Sequence, residues 1–191
     1  MVSSQSQGYA LLIIDMINDL EFDDGNLLFP HALEAAKHIS ALKKRLKTID
    51  IPVIYVNDNY GRWQSDFRSI VDYCMESDVR GRPIANLLKP DADDYFVLKP
   101  QFSGFFATPL ELLLEHLNVD TLIITGVAGN MCVQFTANDA YMRHFKLMIP
   151  ADCIASNTVE ANQEAVHLMK DVLKADTSLS KDILNQANEK N

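Results

Sequence analysis

The chain has 191 residues, 48% hydrophobic and 23% charged, and a formal net charge of −9. A single domain spanning residues 1–191 with a sizeable core is expected at that length, and the acidic balance without a Lys/Arg-rich run argues against nucleic-acid binding. Three cysteines, Cys74, Cys132 and Cys153, form no C-x-x-C pair, and the first apolar run is too short for a signal peptide or a membrane span, so a cytoplasmic protein is expected.

Tyr9–Ile14 (YALLII) is a continuous apolar run of strand length, as in a strand covered on both faces, and it stops at Asp15. Residues 16–31 hold Asp, Asn, Gly and Pro and read as a long loop. Beyond it Ala35, Ile39, Leu42, Leu46 and Ile49 recur at helical spacing. They predict an amphipathic helix from Ala32 to Ile49 with its lysines mostly on the wet face. Val53–Val56 is the second strand, closed by the polar Asn57-Asp58-Asn59. The least regular stretch, Gly61–Pro83, carries Trp63 and a short helix near Asp66–Glu76. Tyr95–Leu98 is the third strand, and Pro100 biases Lys99 towards extended backbone, so its side chain stands at a strand end.

Thr108-Pro109-Leu110-Glu111 reads as a capped helix start, with Leu110, Leu113, Leu114 and Leu117 as its apolar stripe. Thr121–Thr125 is a buried fourth strand. It runs into the small-residue turn Gly126–Gly129 and then Cys132 at the head of a helix. Lys146–Ile149 is the fifth strand, Asn157 with Glu160 opens a helix to about Leu173, and a sixth strand is placed near Leu173–Ser178. This alternation predicts an α/β fold with a mostly parallel sheet, whose carboxyl edge collects the strand ends.

Three of those ends carry chemistry. A thiol at a helix start lies near the positive end of the helix dipole, which favours the thiolate. With Cys132 as nucleophile, Asp15 can move a proton from thiol to leaving amine while Lys99 holds both anions. Backbone N–H groups before and at Cys132 can face the developing oxyanion, an approach that the small Ala128 and Gly129 permit. The turn matches neither G-x-G-x-x-G, nor a P-loop, nor a G-x-S-x-G elbow. His31, His38, His116, His144 and His167 fall on predicted helices or their starts without metal-ligand spacing, and Cys74 and Cys153 read as packing residues.

Asp15-Met16-Ile17-Asn18-Asp19-Leu20, Lys99-Pro100-Gln101-Phe102-Ser103-Gly104-Phe105 and Thr125-Gly126-Val127-Ala128-Gly129-Asn130-Met131-Cys132-Val133 together resemble the isochorismatase-like cysteine hydrolases. That superfamily takes in nicotinamidases, N-carbamoylsarcosine amidohydrolases and isochorismatases. The resemblance implies a Rossmann-like three-layer αβα domain with a six-stranded sheet and a catalytic triad of Asp15, Lys99 and Cys132. It further implies a cis peptide between Val127 and Ala128, an oxyanion hole from the N–H groups of Ala128 and Cys132, and a homodimer or homotetramer. The chain departs from the family at Ile17, where Gln is common. It also lacks the Asp-x-His metal motif of nicotinamidases, since Asn59-Tyr60 follow Asp58 and no His lies between His38 and His116. No metal or other cofactor is therefore expected.

The reaction this favours is hydrolysis of a C–N bond in a small amide or carbamoyl compound through a thioester. Trp63, Phe102 and Phe105 are candidate pocket walls or, equally, lid and subunit contacts. Two alternatives stand beside it: vinyl-ether hydrolysis with Asp15 as general acid, and a non-catalytic binding or scaffold module of the same fold.

Overall fold

The computed structural model describes residues 8–59 and 66–183. In chain order the first half gives β1 (Gly8–Ile14), α1 (Gly25–Lys47), β2 (Val53–Asp58), α2 (Phe67–Glu76), α3 (Arg82–Leu87) and β3 (Tyr95–Lys99). The second half gives α4 (Leu110–His116), β4 (Val119–Val127), α5 (Gln134–Met142), β5 (Lys146–Met148), β6 (Ile154–Ala155) and α6 (Val159–Asp171).

All strand pairs are parallel, in the order β3-β2-β1-β4-β5, with β6 pairing the end of β4. The central β1 alternates its side chains between two cores, which is why its sequence is apolar without interruption. Leu11 and Ile13 join Tyr55 and Ile123 beneath α1, α2 and α3, whereas Leu12 and Ile14 join Val56 and Ile124 beneath α4, α5 and α6. Each fully buried aliphatic side chain contributes roughly 1.5–3 kcal/mol. Chain direction across the sheet reverses beside β1, since β2 and β3 lie to one side and β4 and β5 to the other. A crevice outside the carboxyl ends of β1 and β4 is the ligand position that such a reversal creates.

Several local expectations are corrected. α1 begins at Gly25, inside the stretch read as loop, because Leu28 and Ala32 extend its buried stripe. Pro30 lies within it near the amino end, where it removes a single backbone bond that this burial outweighs. Lys43 is buried rather than wet: its ammonium holds Asp94 at 2.5 Å, the Tyr55 hydroxyl at 3.1 Å and the Lys89 carbonyl at 3.3 Å. Glu111 does not close a capping box; it pairs with Arg143 at 3.0 Å. The cap of α6 is Thr158, which accepts from Ala161 N–H, and not Asn157. The sixth strand is Ile154–Ala155, while Asp176 makes only an isolated bridge to Met148. His144 follows α5 at φ 65° instead of lying on a helix. No helix among the described residues is long and apolar enough to cross a membrane.

Candidate active site

Asp15 leaves β1 in the left-handed conformation, φ 53°, which short polar side chains tolerate best among non-glycine residues. Its Oδ1 accepts the Asp58 backbone N–H at 2.7 Å, and its Oδ2 lies 2.8 Å from Lys99 Nζ. Lys99 ends β3, opposite Asp58 in register, and its side chain is fully buried. From there Nζ also lies 3.4 Å from Cys132 Sγ and 3.5 Å from Asp58 Oδ2. The three N–H donors of one ammonium thus face three acidic groups from three different segments.

Cys132 is placed by a turn held on both flanks. Gly126 has φ +116°, and a Cβ there would lie 2.1 Å from the Ile14 carbonyl oxygen, so close do β4 and β1 run at this edge. The Val127–Ala128 peptide is cis. Gly129–Val133 then form a π-helical turn that continues into α5, so Cys132 sits within a wound turn and not at a plain helix start. Met131 and Val133 N–H both donate to the Ala128 carbonyl, at 3.0 and 3.2 Å. On one flank the Thr136 hydroxyl donates to the Cys132 carbonyl at 2.7 Å and accepts Gly104 N–H at 2.9 Å, tying the turn to the loop after β3. On the other, Asn130 N–H donates to Ser156 Oγ at 3.3 Å, and Ser156 donates to Asn162 Oδ1 at 3.2 Å. A Cβ on Gly129 would come within 2.5 Å of Asn162 Oδ1, so this flank admits no side chain without a shift.

The electrostatics differ from the helix-dipole expectation. Burial, reinforced by the Asp15 charge and opposed by Lys99, pushes the Cys132 thiol up to about 12. Burial also raises the Asp15 carboxyl above its ordinary range, against the lowering effect of Lys99. Burial works to lower the Lys99 ammonium, but the charge of Asp15, and that of Cys132 once it is a thiolate, outweigh it and the net direction is up. The resting site is accordingly a thiol that shares the firmly protonated Lys99 ammonium with Asp15. Desolvation overrides the dipole because it acts on the whole charge, whereas the dipole contributes a fraction of one.

Of the other sequence-predicted residues, Ala128 directly precedes the π-helical turn. Phe102 is exposed, with its ring 5.4 Å from that of Phe135. Phe105 is buried in the core against Phe145 and beneath the Arg143 guanidinium, so it is a packing residue. Trp63 lies outside the described residues. Asp58, Thr136, Ser156 and Asn162 were not singled out from sequence as site residues; only Asp58 had a signal, its place in a polar cluster closing a strand. Asp91, Asp93 and Asp94 are close enough together to hold a cation, but each is paired with Lys47.

A parallel α/β sheet carrying a carboxylate and a thiol on one ammonium at its carboxyl edge has the architecture of a hydrolytic enzyme. Residues 9–179 match the isochorismatase domain, and the chain belongs to the isochorismatase family of hydrolases. It is 45% identical over 177 residues to the uncharacterized isochorismatase family protein YaaI of Bacillus subtilis (strain 168), covering 93% of this chain and 97% of that one. It is 32% identical over 154 residues to enterobactin synthase component B of Escherichia coli (strain K12), covering 79% of this chain but only 54% of that protein. Among solved structures, N-carbamoylsarcosine amidase from Thermoplasma acidophilum superposes with a TM-score of 0.71 at 25% identity, over 91% of this chain and 97% of the other.

Proposed function

We propose that the chain is a cysteine-dependent hydrolase cleaving a C–N bond of a small amide or carbamoyl compound through a thioester on Cys132. The observation that carries this reading is the buried ammonium of Lys99, 2.8 Å from Asp15 and 3.4 Å from Cys132. As Sγ attacks the carbonyl carbon, Asp15 takes the thiol proton and Lys99 stays protonated, offsetting negative charge as it moves from carboxylate to substrate. The N–H groups of Ala128 and Cys132 receive the oxyanion, a contribution of about 10²–10³ per donor. Asp15 then protonates the leaving nitrogen as the C–N bond breaks. In the second half it draws a proton from water, which attacks the thioester carbonyl, and returns that proton to the departing sulfur. The raised affinities of both Asp15 and Cys132 for the proton suit a shuttle between them.

Phe102, exposed on the loop after β3, is the candidate wall for the substrate's apolar part. Similarity to a protein named N-carbamoylsarcosine amidase supports the carbamoyl class. The free thiols Cys74, Cys132 and Cys153 suit a reducing cytoplasm. The test is intact-mass analysis after exposure to a panel of small amides and carbamoyl compounds. An acyl adduct mapping to Cys132 is expected, with adduct and turnover both lost in Cys132→Ala; full turnover by that variant refutes the thioester.

One observation favours a second reaction. Burial keeps the Asp15 carboxyl above its ordinary range, as a general acid requires, so vinyl-ether hydrolysis could proceed without the thiol. Isochorismate turnover that survives Cys132→Ala would select it.

A further inference from the structure

β2 lies between β1 and β3 in the sheet, so its carboxyl end lies beside both Asp15 and Lys99. Asp58 occupies that end and touches both. Its backbone N–H donates to Asp15 Oδ1 at 2.7 Å, and its carboxylate lies 3.5 Å from Lys99 Nζ. Unlike Lys99, which is fully buried, its side chain is 32% exposed. We infer that Asp58 is a positioning residue of the hydrolytic site: its carboxylate shares the Lys99 ammonium with Asp15 and Cys132, and so keeps the mobile proton on the Asp15–Cys132 pair. The inference rests on the thioester reading.

Its physical basis is a charge count. Among the described residues, the titratable groups facing the ammonium are Asp15 at the end of β1, Asp58 at the end of β2 and Cys132 from the turn after β4. Asp58 adds one negative charge to the groups around that cation, so releasing the thiol proton to solvent leaves one more negative charge there with Asp58 than without it. Without Asp58 the proton departs more readily. A free thiolate forms more easily in that case, but Asp15 is a poorer proton donor to the leaving nitrogen. Asp58 therefore trades resting nucleophilicity for a retained proton.

The test uses the full chain and iodoacetamide, following alkylation of each cysteine by mass spectrometry from pH 5 to 10. In Asp58→Asn, which keeps the backbone donor, the Cys132 thiol should ionise about one pH unit lower, which raises its alkylation across the whole range. The rate at pH 7 should rise about threefold rather than tenfold, because a less basic thiolate is also a weaker nucleophile. Turnover of any amide that acylates Cys132 should fall in the same variant, and Asp58→Glu should restore both readings towards native. A purely structural Asp58 would not produce faster alkylation together with slower turnover. Asp58→Ser, checked by thermal melt, supplies the same comparison if the Asn variant folds poorly. A Cys132 profile that moves in Asp15→Asn but stays native in both folded Asp58 variants overturns the inference alone. Alkylation of Cys132 no faster than of Cys74 and Cys153, unchanged by Asp15→Asn, overturns the thioester reading and this inference with it.

Discussion

Replacing Lys99 by Met tests the energetics of the site without any substrate. Met roughly preserves the volume of the stem and removes the charge. It strands Asp15, whose side chain is only 8% exposed, without the ammonium at 2.8 Å. Breaking a buried pair from one side costs about 3–5 kcal/mol while the remaining charge stays ionised. The carboxyl can escape that cost by holding its proton, which makes the deficit depend on pH. In the native fold burial raises Asp15 above its ordinary 3.8, and Lys99 is the chief influence opposing it. With Met at position 99 the folded value rises further. A group whose folded value lies above its unfolded one adds stability below the unfolded value and loses it as pH rises through the folded one. The deficit of Lys99→Met relative to native therefore grows as pH rises above the ordinary carboxyl value, and is smaller at pH 5 than at pH 8. At about 2–4 °C per kcal/mol for a domain of this length, the full deficit lowers Tm by about 6–20 °C. The raised Lys99 ammonium loses its own contribution only above its ordinary 10.5, outside this window. Thermal melts of native, Lys99→Met, Asp15→Asn and the double variant at pH 5 and pH 8 check the scheme. Asp15→Asn/Lys99→Met, with neither charge of the pair left, should regain most of the loss. A deficit equal at both pH values, or a double variant as unstable as the summed singles, refutes it.

Other perturbations address how the cysteine turn is held. Thr136→Val leaves the Cys132 carbonyl and Gly104 N–H without their shared partner, which costs about 1–3 kcal/mol by urea denaturation. The shifted thiol should lower kcat by about 10²-fold in the amide assay. Gly126→Ala forces a Cβ to 2.1 Å from the Ile14 carbonyl at a positive φ, and soluble folded protein should be lost. Lys43→Met removes the partner of Asp94 at the opposite, amino edge of the sheet. It should cost about 3 kcal/mol, the low end because Lys47 still holds Asp94 at 2.9 Å, with turnover unchanged.

Much of this molecule is legible from local pattern. Apolar runs of strand length alternating with helical periods define the α/β class, and the residues that stop those runs mark the edge where a site can form. Asp15, Lys99 and Cys132 could be singled out because each closes a strand or follows its turn, and parallel strands carry all such ends to one side. Lys43 and Lys44 show the limit of that logic: neighbours on one helix, one buried against Asp94 and one exposed, by a difference that lies in the distant segment 89–94. β6, two residues long, has no period to read, and Phe105 looked like a pocket wall until its loop folded into the core. The same holds for the protonation of Cys132. A helix start is a local feature and predicts a thiolate; desolvation is set by how β1, β3 and the turn after β4 close around the sulfur, and it keeps the proton on. Local sequence therefore determined which groups stand at the edge. Tertiary packing decided which are dry, which share the one ammonium, and where the proton rests, because burial and Coulomb energy depend on segments that are remote along the chain.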